Sequence, residues 1–523
     1  MNTETSIYEF AKQGLAISRG KPALWFFGNK ISYQALFEKI DGVARNLYRE
    51  GIRKGTVVTI HLTNCPQAVI AVYAVAKLGG ICNMVHPLTP AAALRENMAF
   101  TKSKWLITAS RDCGDFGGNI FFVDISHYMG PAARTVWRLK NGTDGEKHRS
   151  FEKLLERSPS EVPVSEGRDG SEPAVYLHSS GTTETPKTIV LSHSALNHCV
   201  ANTADFFEEH DMAKQVCLAV LPLFHGFGLA MDVHRSVSFG SQLVLLPRWN
   251  AAAAVKLIKK HGVTLMVGVP AMYSALLKEK GFRGKRIRQL SKCYVGGDMV
   301  KPELVAEFDE RLGGGHRMFA GFGLTEATTT NCVNTYRHYK TGSIGYPVRN
   351  TTVAVLNEAG CLSGTGEGEL VICSRSLMLG YLEDPRATEK TLFYADGKKW
   401  TRTGDRVRID EDGFVFYISR IKNIIIRNGY NIYPHQIETV ICGVEGVLDV
   451  CVVGVEEPER STQLVRAVVI ACEGVQKEPL EERIRKRCAE ALPRYALPAQ
   501  VAFVSAFPRN AMGKIDRKEL SKL

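Results

Sequence analysis

The sequence lacks the features that would place it in a membrane, in a secretory pathway or around a structural metal. Its longest apolar stretch, residues 68–85, is interrupted by Lys77, Gly79 and Gly80, which favours a packed helix and turn over a membrane span. No signal-peptide pattern stands at the start of the sequence. The thirteen cysteines never occur with Cys-x-x-Cys spacing, so the sequence indicates neither a zinc site nor a disulfide framework and favours reduced, cytosolic thiols.

The charge of the chain suits anionic partners. A formal net charge of +12 and a pI near 9.0 would attract anionic small molecules, acidic proteins, nucleic acid or a membrane surface. No arginine-rich arm and no alternation of basic and aromatic residues favours nucleic acid, so we expect no nucleic-acid partner. At 523 residues the chain is too long for one hydrophobic core, and it predicts two or more domains.

The first 170 residues alternate between amphipathic-helix patterns and short apolar strands, which predicts parallel α/β layers. Residues 130–150 are polar and basic with few apolar side chains, and we expect them to form a solvated loop. The helices are predicted over residues 33–51, 67–78 and 252–261, and the strands over residues 56–62, 104–108, 120–123, 188–191, 215–221 and 264–267.

The last third of the chain changes character. Between residues 344 and 420, short strands with glycine turns replace the helices and predict a β-rich subdomain. Beyond Arg420, two apolar strands and a charged amphipathic helix predict a small α+β domain. The predicted fold is therefore α/β, with a large N-terminal domain of layered α/β subdomains plus the β-rich subdomain (residues 1–420) and a small C-terminal domain (residues 421–523). We place the boundary at Arg420 to Lys422.

The most informative segment is a hydroxyl-rich loop after the apolar run that begins at Tyr176. Hydroxyls and backbone N–H groups folded around a glycine make a cradle for an anion, and a lysine adds a positive charge, so a polyphosphate is the expected ligand. Pro186 stands where the P-loop of many ATPases needs glycine, and a strand pattern follows instead of a helix. A polar surface turn remains the alternative. The residues of this loop are Ser179, Ser180, Gly181, Thr182, Thr183, Glu184 and Lys187.

This loop resembles the phosphate loop of the adenylate-forming superfamily, which contains acyl-CoA synthetases, peptide-synthetase adenylation domains and beetle luciferases. Members have Ser/Thr-Ser-Gly-Thr-Thr-Gly-x-Pro-Lys-Gly there, whereas this sequence has Glu184 and Thr188 in the two outer glycine positions. Glycine lets such a loop open and close over pyrophosphate. We expect the added negative charge of Glu184 to change nucleotide affinity or loop mobility. The resemblance also implies that Thr182 lies beside a metal ion bound with ATP.

The segment from Gly321 to Glu326 resembles the superfamily's aromatic-Gly-Leu-Thr-Glu signature. Phe322 offers a flat face for adenine, Gly323 permits close approach of a ligand, and Thr325 offers a hydroxyl to phosphate. Glu326 supplies a carboxylate oxygen of the kind that Mg²⁺ prefers. A buried turn with a capping carboxylate is the alternative for this segment taken alone.

Two further segments match nucleotide-binding motifs of the superfamily. Gly296 and Gly297 follow a short apolar run, and in relatives this segment lies beside the nucleotide and the acyl group; Asp298 stands where a small residue is usual and is expected to line the pocket. Asp405 can accept hydrogen bonds from both ribose hydroxyls, and Arg420 matches the arginine that joins it there. A structural ion pair between Asp405 and Arg420 is the alternative.

The resemblance assigns the small domain a mobile, catalytic role. Lys422 matches the hinge about which this domain turns, and Gly429 matches a glycine that lines the pantetheine channel after the rotation. Lys514 matches the essential C-terminal lysine, whose charge would stabilise the transition state when two anions meet at the α-phosphate. Gln436 replaces a glutamate that is usual in the superfamily, whereas Glu438 is kept.

The substrate class follows from the segment that begins at Leu221 and contains His225. Domains that activate amino acids have an aspartate near this position to hold the ammonium group. The segment here resembles the Pro-Leu-Phe-His of aryl- and fatty-acyl-CoA synthetases, with His225 as a gate between the nucleotide and acyl sites. Phe227, Met231 and Val269 are expected to wall an apolar pocket for a simple carboxylic acid.

The motifs in this order predict an ATP-dependent acid–CoA ligase of the AMP-forming type, which uses ATP, Mg²⁺ and CoA and passes through acyl-AMP. The alternative is a stand-alone enzyme that loads the acyl group on a carrier-protein phosphopantetheine. A luciferase-like oxygenase and a non-enzymatic binding protein are further alternatives. We expect a cytoplasmic protein, or a peroxisomal one in a eukaryote, because the sequence ends in Ser521, Lys522 and Leu523.

Overall fold

The computed structural model describes residues 2–111, 113, 119–141, 149–156, 169–179, 187–204, 209–427, 430–457, 462–509 and 515–523. The chain divides into two units. The first consists of Met1–His178, Thr188–Thr352 and Ile372–Thr401, and the second of Ser179–Lys187, Val353–Val371 and Arg402–Leu523. The boundary predicted at Arg420 to Lys422 lies within the second unit, at a short 3-10 turn (Ile421–Asn423), and it stays a prediction.

Fourteen α-helices occur in the described residues. They are α1 (Ile7–Ser18), α2 (Tyr33–Arg49), α3 (Pro66–Lys77), α4 (Ala91–Phe100), α5 (Pro131–Asn141), α6 (His193–Asn202), α7 (Arg235–Ser238), α8 (Ala251–His261), α9 (Pro270–Lys278), α10 (Pro302–Arg311), α11 (Pro385–Thr391), α12 (Pro434–Cys442), α13 (Lys477–Ala491) and α14 (Arg517–Ser521). None of the helices among the described residues is both long and apolar enough to cross a membrane.

The strands of the described residues number twenty-eight. The first sixteen are β1 (Pro22–Phe26), β2 (Asn29–Ser32), β3 (Val57–His61), β4 (Ile81–Met84), β5 (Trp105–Thr108), β6 (Ile120–Phe122), β7 (Arg149–Ser150), β8 (Pro173–His178), β9 (Thr188–Ser192), β10 (Val216–Ala219), β11 (Gln242–Leu245), β12 (Leu265–Gly268), β13 (Lys292–Val295), β14 (Met318–Phe322), β15 (Cys332–Val333) and β16 (Tyr346–Pro347). The others are β17 (Thr351–Leu356), β18 (Leu362–Ser363), β19 (Gly366–Ser374), β20 (Gly380–Tyr381), β21 (Leu392–Ala395), β22 (Lys398–Ile409), β23 (Val415–Arg420), β24 (Ile425–Arg427), β25 (Tyr430–Ile432), β26 (Val447–Glu457), β27 (Thr462–Ala471) and β28 (Gln500–Phe503).

A nine-stranded sheet in the first unit positions most of the predicted site. Its strand order is β16-β15-β14-β13-β12-β10-β11-β1-β2, and the strands from β10 to β14 run parallel. Strands β10 and β12 are apolar and buried at every position, as expected for parallel strands covered on both faces. Because parallel strands point the same way, the loops that follow β10, β12, β13 and β14 all lie at one edge of the sheet.

An eight-stranded sheet in the same unit has the order β20-β9-β8-β4-β3-β5-β6-β7. Strands β8 and β9 pair antiparallel and flank the phosphate loop in the sequence, which confirms the strand predicted after Lys187. Helix α3 is buried from its first residue almost to its end, so the longest apolar stretch of the sequence is a packed helix, as predicted.

The β-rich region is a six-stranded sheet of order β18-β17-β19-β22-β21 with β23 beside β22. In the second unit, β26, β27 and β28 form a three-stranded sheet, and α12 and α13 share an apolar core with it. The fold is thus mixed α/β with a large N-terminal and a small C-terminal domain, as predicted.

The prediction of a loop over residues 130–150 is wrong at both ends, because helix α5 covers Pro131–Asn141 and strand β7 covers Arg149–Ser150. Residues 142–148 lie outside the described residues. Two arginines hold helix α5 to the preceding turn. Arg134 donates to the carbonyls of Ser126 and His127, and Arg138 forms an ion pair with Asp124 at 2.7 Å. Trp137 packs against the main core. A polar sequence therefore forms a helix here through contacts made by its long side chains.

Two helical glycines offer a matched test of the packing between helices. A Cβ at Gly14 of α1 would lie 1.7 Å from the carbonyl oxygen of Val237 in α7, whereas a Cβ at Gly42 of α2 would come no closer than 3.8 Å to any neighbour. We expect Gly14→Ala to lower the free energy of unfolding by about 3 kcal/mol, because the two helices must separate. Gly42→Ala should be neutral or raise it by up to about 1 kcal/mol through helix propensity. Urea titrations check both values, and equal effects of the two substitutions would contradict the packing.

Candidate active site

The predicted residue Phe322 ends β14, and the loop after this strand contains the predicted residues Gly323, Thr325 and Glu326. A crossing of two backbone segments shapes this loop. A Cβ at Gly323 would lie 1.0 Å from the carbonyl oxygen of Thr329, so only glycine fits there. The requirement for glycine at this position therefore comes from the protein's own backbone; close approach of a ligand to Gly323 stays a prediction.

The backbone is strained where this loop turns back, at Thr328 and Thr329. Thr328 and Thr329 have φ values of 50° and 76°, a left-handed conformation that threonine rarely adopts. The surrounding structure holds the turn, since the hydroxyl of Thr328 donates to the carbonyl of Ser376 at 2.7 Å and the thiol of Cys199 donates to the carbonyl of Thr328 at 2.7 Å. Strain of this kind is concentrated at functional sites.

Glu326 is half-buried, and both its backbone and its side chain are bonded. Its carbonyl accepts a hydrogen bond from the N–H of Met378 at 2.8 Å, and its Oε1 accepts one from the hydroxyl of Tyr381 at 2.9 Å. The carboxylate is therefore held in one orientation.

The loop that contains His225 is fixed by a buried asparagine. The amide nitrogen of Asn64 donates to the carbonyl of Leu221 at 2.8 Å, and its amide oxygen accepts from the N–H of Leu223 at 2.8 Å. Nδ1 of His225 accepts a hydrogen bond from the N–H of Phe227 at 3.2 Å. A neutral imidazole with this partner has its proton on Nε2.

The loops after β10 and β14 meet at the carboxyl edge of the sheet. A Cβ at Gly226, next to His225, would lie 2.9 Å from the side chain of Thr329 and 3.9 Å from that of Thr325. The residue that follows His225 therefore lies beside Thr325 and Thr329.

The loops after β12 and β13 join the same place. A Cβ at Gly296 would lie 2.9 Å from the carbonyl oxygen of Gly321 and 3.9 Å from the ring of Phe227, and one at Gly297 would lie 3.4 Å from the side chain of Val269. The structure thus brings Phe227 and Val269 to the glycine turn, as the sequence proposes for an acyl pocket.

Two residues proposed for the pocket lie differently. Met231 is 3 % exposed, within a π-helical segment (Gly228–His234), and belongs to the main hydrophobic core. Asp298 is exposed, and its carboxylate accepts a hydrogen bond from the N–H of Met299 at 2.8 Å. These contacts describe a core residue and a surface turn, and lining of the pocket by either residue stays a prediction.

The phosphate loop is described only at its two ends. The N–H of Ser179 donates to the carbonyl of Lys187 at 2.9 Å, and the N–H of Lys187 donates back to the hydroxyl of Ser179 at 2.9 Å, so the chain closes a narrow neck. The predicted residues Ser180, Gly181, Thr182, Thr183 and Glu184 lie outside the described residues.

In the second unit, Asp405 and Arg420 are directly opposite each other on β22 and β23. The Asp405 side chain is 3 % exposed, and its Oδ2 accepts from Arg420 at 2.5 Å, so the ion pair that the sequence left open is formed. Gly404 adopts a left-handed φ of 70° and has open space beside it. Glu369 holds this turn by accepting from the N–H of Gly404 at 3.0 Å and from Arg402 at 2.9 Å.

The C-terminal motif residues Gly429 and Lys514 lie outside the described residues, whereas Lys422 is exposed in the 3-10 turn after β23. Arg517, three residues after Lys514, donates to Glu438 at 2.9 Å, and Glu438 also accepts from the N–H of Val452 at 2.8 Å. Glu438, which matches the superfamily pattern, therefore binds Arg517 at the end of the motif that contains Lys514.

Sequence reasoning did not single out the three side chains that hold the predicted residues in place, namely Asn64, Glu369 and Tyr381. Each lies more than 30 residues away in the sequence from at least one group that it bonds, with separations of 159, 35 and 55 residues. No spacing in the sequence points to such contacts, because they arise from the packing of strands that are distant in the chain.

The chain matches the model of the AMP-binding enzyme family over residues 12–382, and the model of that family's C-terminal domain over residues 436–514. Since these matches span most of the sequence, the protein belongs to the AMP-binding enzyme family, as predicted. The region between the two matches contains Asp405, Arg420 and Lys422.

Curated relatives match almost the whole chain in sequence, and a solved structure matches it in fold. A long-chain-fatty-acid–CoA ligase of Bacillus subtilis is 29 % identical, over 96 % of this chain and 91 % of that protein. A 2-succinylbenzoate–CoA ligase of Bacillus cereus is 26 % identical, over 94 % of each. The crystal structure of ATP-bound MatB from Rhodopseudomonas palustris superposes with a TM-score of 0.84 at 24 % identity and covers 100 % of this chain and 99 % of that chain.

His178, the last residue before Ser179, makes the stability of the first unit dependent on pH. Its ring nitrogens bond to Asn83 at 2.8 Å and to Thr188 at 3.0 Å, and burial lowers its pKa from 6.5 to about 4. The unfolded chain therefore takes up the proton first, so this contribution to stability is complete well above pH 6.5 and is lost as the pH falls from there towards 4.

We expect the His178 contribution to fall by about 1 kcal/mol between pH 7 and pH 5.5. His178→Gln, which cannot take up the proton, should show a pH dependence smaller by that amount, and the exposed His338→Gln should behave as the wild type. Tryptophan fluorescence during urea unfolding reports the correct unit, because all five tryptophans lie in it. An unchanged pH dependence in His178→Gln would contradict the prediction.

Proposed function

We propose that the protein is an ATP-dependent carboxylic acid–CoA ligase that works through an acyl-AMP intermediate. The observation that supports it most is the meeting of four loops at one edge of the parallel sheet in a chain that belongs to the AMP-binding enzyme family. Relatives along the full length are CoA ligases for fatty acids and for 2-succinylbenzoate, which supports the predicted class of acid–thiol ligase.

In the first step a carboxylate oxygen of the acid attacks the α-phosphorus of ATP. A new O–P bond forms, the bond to the β-phosphate oxygen breaks, and pyrophosphate leaves. We assign Lys514 to this step, because a flexible ammonium group can follow the charge that develops on the phosphoryl oxygens. Ser179 and Lys187, at the neck of the phosphate loop, are assigned to the departing phosphates.

The carboxylate of Glu326 fits a magnesium ion that accompanies ATP. Mg²⁺ prefers oxygen ligands and is commonly held by one or two carboxylates together with substrate phosphates. We assign Glu326 and Thr182 to this ion, which when bound would neutralise charge on the phosphates. Asp405 accepts from Arg420 through Oδ2 and has further lone pairs for the ribose hydroxyls, so the observed ion pair is compatible with nucleotide binding.

The acid itself is assigned to the apolar surroundings of the glycine turn. Phe227 and Val269 lie beside this turn, and the segment from Leu221 to Gly228 contains no acidic side chain that could hold an ammonium group. A neutral wall favours a simple aryl or aliphatic carboxylic acid over an amino acid. His225 at the edge of this pocket is assigned as the gate between acid and nucleotide.

In the second step the CoA thiolate attacks the acyl carbon, and the C–O bond to AMP breaks. We assign Lys422 as the hinge of a domain rotation that withdraws Lys514 and brings Gly429 to the thiol channel. We propose a cytoplasmic location, and the peroxisomal matrix stays the alternative for a eukaryotic host.

The role of Lys514 can be tested with a neighbouring lysine as control. We expect Lys514→Ala to lower the acid-dependent exchange of labelled pyrophosphate into ATP by about 100-fold or more, because the charge at the α-phosphate is lost. The exposed Lys518→Ala should keep the wild-type rate. An unchanged exchange rate in Lys514→Ala would contradict the assignment, and no exchange by the wild type with any member of a broad acid panel would contradict the proposed function.

The acceptor is tested with the best acid from that panel. We expect acylation of free CoA, measured by chromatography of the thioester, to be faster than acylation of a holo-carrier protein at equal concentration. The reverse order would assign the protein to the carrier-loading ligases.

A further inference from the structure

Tyr381 links two segments that are far apart in the sequence but adjacent in the first unit. Its hydroxyl donates to Oε1 of Glu326 at 2.9 Å, across a separation of 55 residues. The ring is half-buried and packs against the main hydrophobic core, and this packing holds the hydroxyl in place. Nothing in the nucleotide-binding motifs accounts for this tyrosine.

The backbone around Tyr381 is tied to the strand that follows the phosphate loop in the sequence. Tyr381 is opposite Ile189 in the ladder between β20 and β9, and the N–H of Leu382 donates to the carbonyl of Thr188 at 2.8 Å. The N–H of Tyr381 donates to the hydroxyl of Thr388, in the middle of helix α11, at 2.9 Å. The tyrosine therefore lies in a short edge strand that is hydrogen-bonded to β9.

The same short segment also holds the backbone of Glu326, through the N–H of Met378 at 2.8 Å. Residues 378–382 thus restrain the glutamate at two points and the outgoing strand of the phosphate hairpin at two others. A carboxylate with one oxygen held by a hydroxyl keeps its second oxygen in a defined direction.

We propose that Tyr381 is a positioning residue for the metal-binding carboxylate: it occupies one oxygen of Glu326 so that the other is aimed at the cation that accompanies ATP. The inference rests on the proposed function, in which Glu326 binds that cation. Side chains that hold metal ligands in this way commonly affect metal affinity by about 10- to 100-fold, although they never touch the ion.

A purely structural tyrosine makes a different prediction. If the ring only filled space, phenylalanine would serve equally well, because the two residues differ by one hydroxyl. The substitution Tyr381→Phe therefore separates orientation of the carboxylate from packing. Tyr8→Phe is a matched control, since the Tyr8 hydroxyl donates to Asp41 at 2.6 Å in the same unit and neither residue belongs to the proposed site.

The experiment measures binding of ATP to the full chain by calorimetry, with Mg²⁺ varied and with EDTA. We expect Tyr381→Phe to raise the Mg²⁺ concentration needed for half-maximal binding about ten-fold and to leave metal-free ATP binding unchanged. The Tyr8→Phe variant should match the wild type in both. The effect of Tyr381→Phe should disappear in a Glu326→Gln background, because the carboxylate that the tyrosine positions is then absent.

Three results would overturn the inference. The first is wild-type Mg²⁺ dependence in a folded Tyr381→Phe protein, and the second is an equal loss of binding with and without the metal. The third is persistence of the full effect in the Glu326→Gln background. If the wild type itself bound ATP no better with Mg²⁺ than with EDTA, the proposed metal site would fail together with this inference, whereas a wild type with normal dependence isolates the role of Tyr381.

Discussion

The crossing of the backbone at Gly323 under the carbonyl of Thr329 is the contact on which the geometry of the first unit's site depends. A Cβ at Gly323 would lie 1.0 Å from that oxygen, so the loop after β14 can fold back only over a glycine. The fold-back brings the side chain of Thr329 to Gly226, beside His225, and keeps Thr325 and Glu326 at the edge of the sheet. This arrangement forces the backbone of two threonines into a strained left-handed conformation. Hydrogen bonds to neighbouring segments stabilise that conformation.

The carboxylates assigned to the nucleotide are stabilised in different ways in the two units. Asp405 is almost fully buried and has a cationic partner, Arg420, because an unpaired charge in such a place would be unstable. Glu326 is half-buried and accepts from a neutral hydroxyl, which does not neutralise its charge and so leaves that charge available to a cation. The partners thus match the proposed roles, hydrogen bonding to a sugar for the first carboxylate and metal binding for the second.

Membership of the AMP-binding enzyme family makes the departures of this chain more informative. Glu184 and Thr188 replace glycines of the superfamily's phosphate loop. Thr188 has a defined place in the structure, where it is buried and its hydroxyl bonds to His178 at 3.0 Å. One departure is therefore part of a polar network at the base of the hairpin, whereas the effect of Glu184 on nucleotide affinity or loop mobility stays a prediction.

The sequence by itself determined the family, the class of fold and the parallel strands, because these depend on local patterns and on motifs that are contiguous in the chain. The catalytic and binding residues that it proposes stay predictions. The loop prediction was wrong for residues 131–141, where two long basic side chains together with Trp137 hold a helix to its surroundings. Only the tertiary structure decided which groups hold Glu326, the His225 loop and the Asp405 turn. Tyr381, Asn64 and Glu369 reach these places through the packing of strands from distant parts of the chain, and no spacing in one dimension records such contacts.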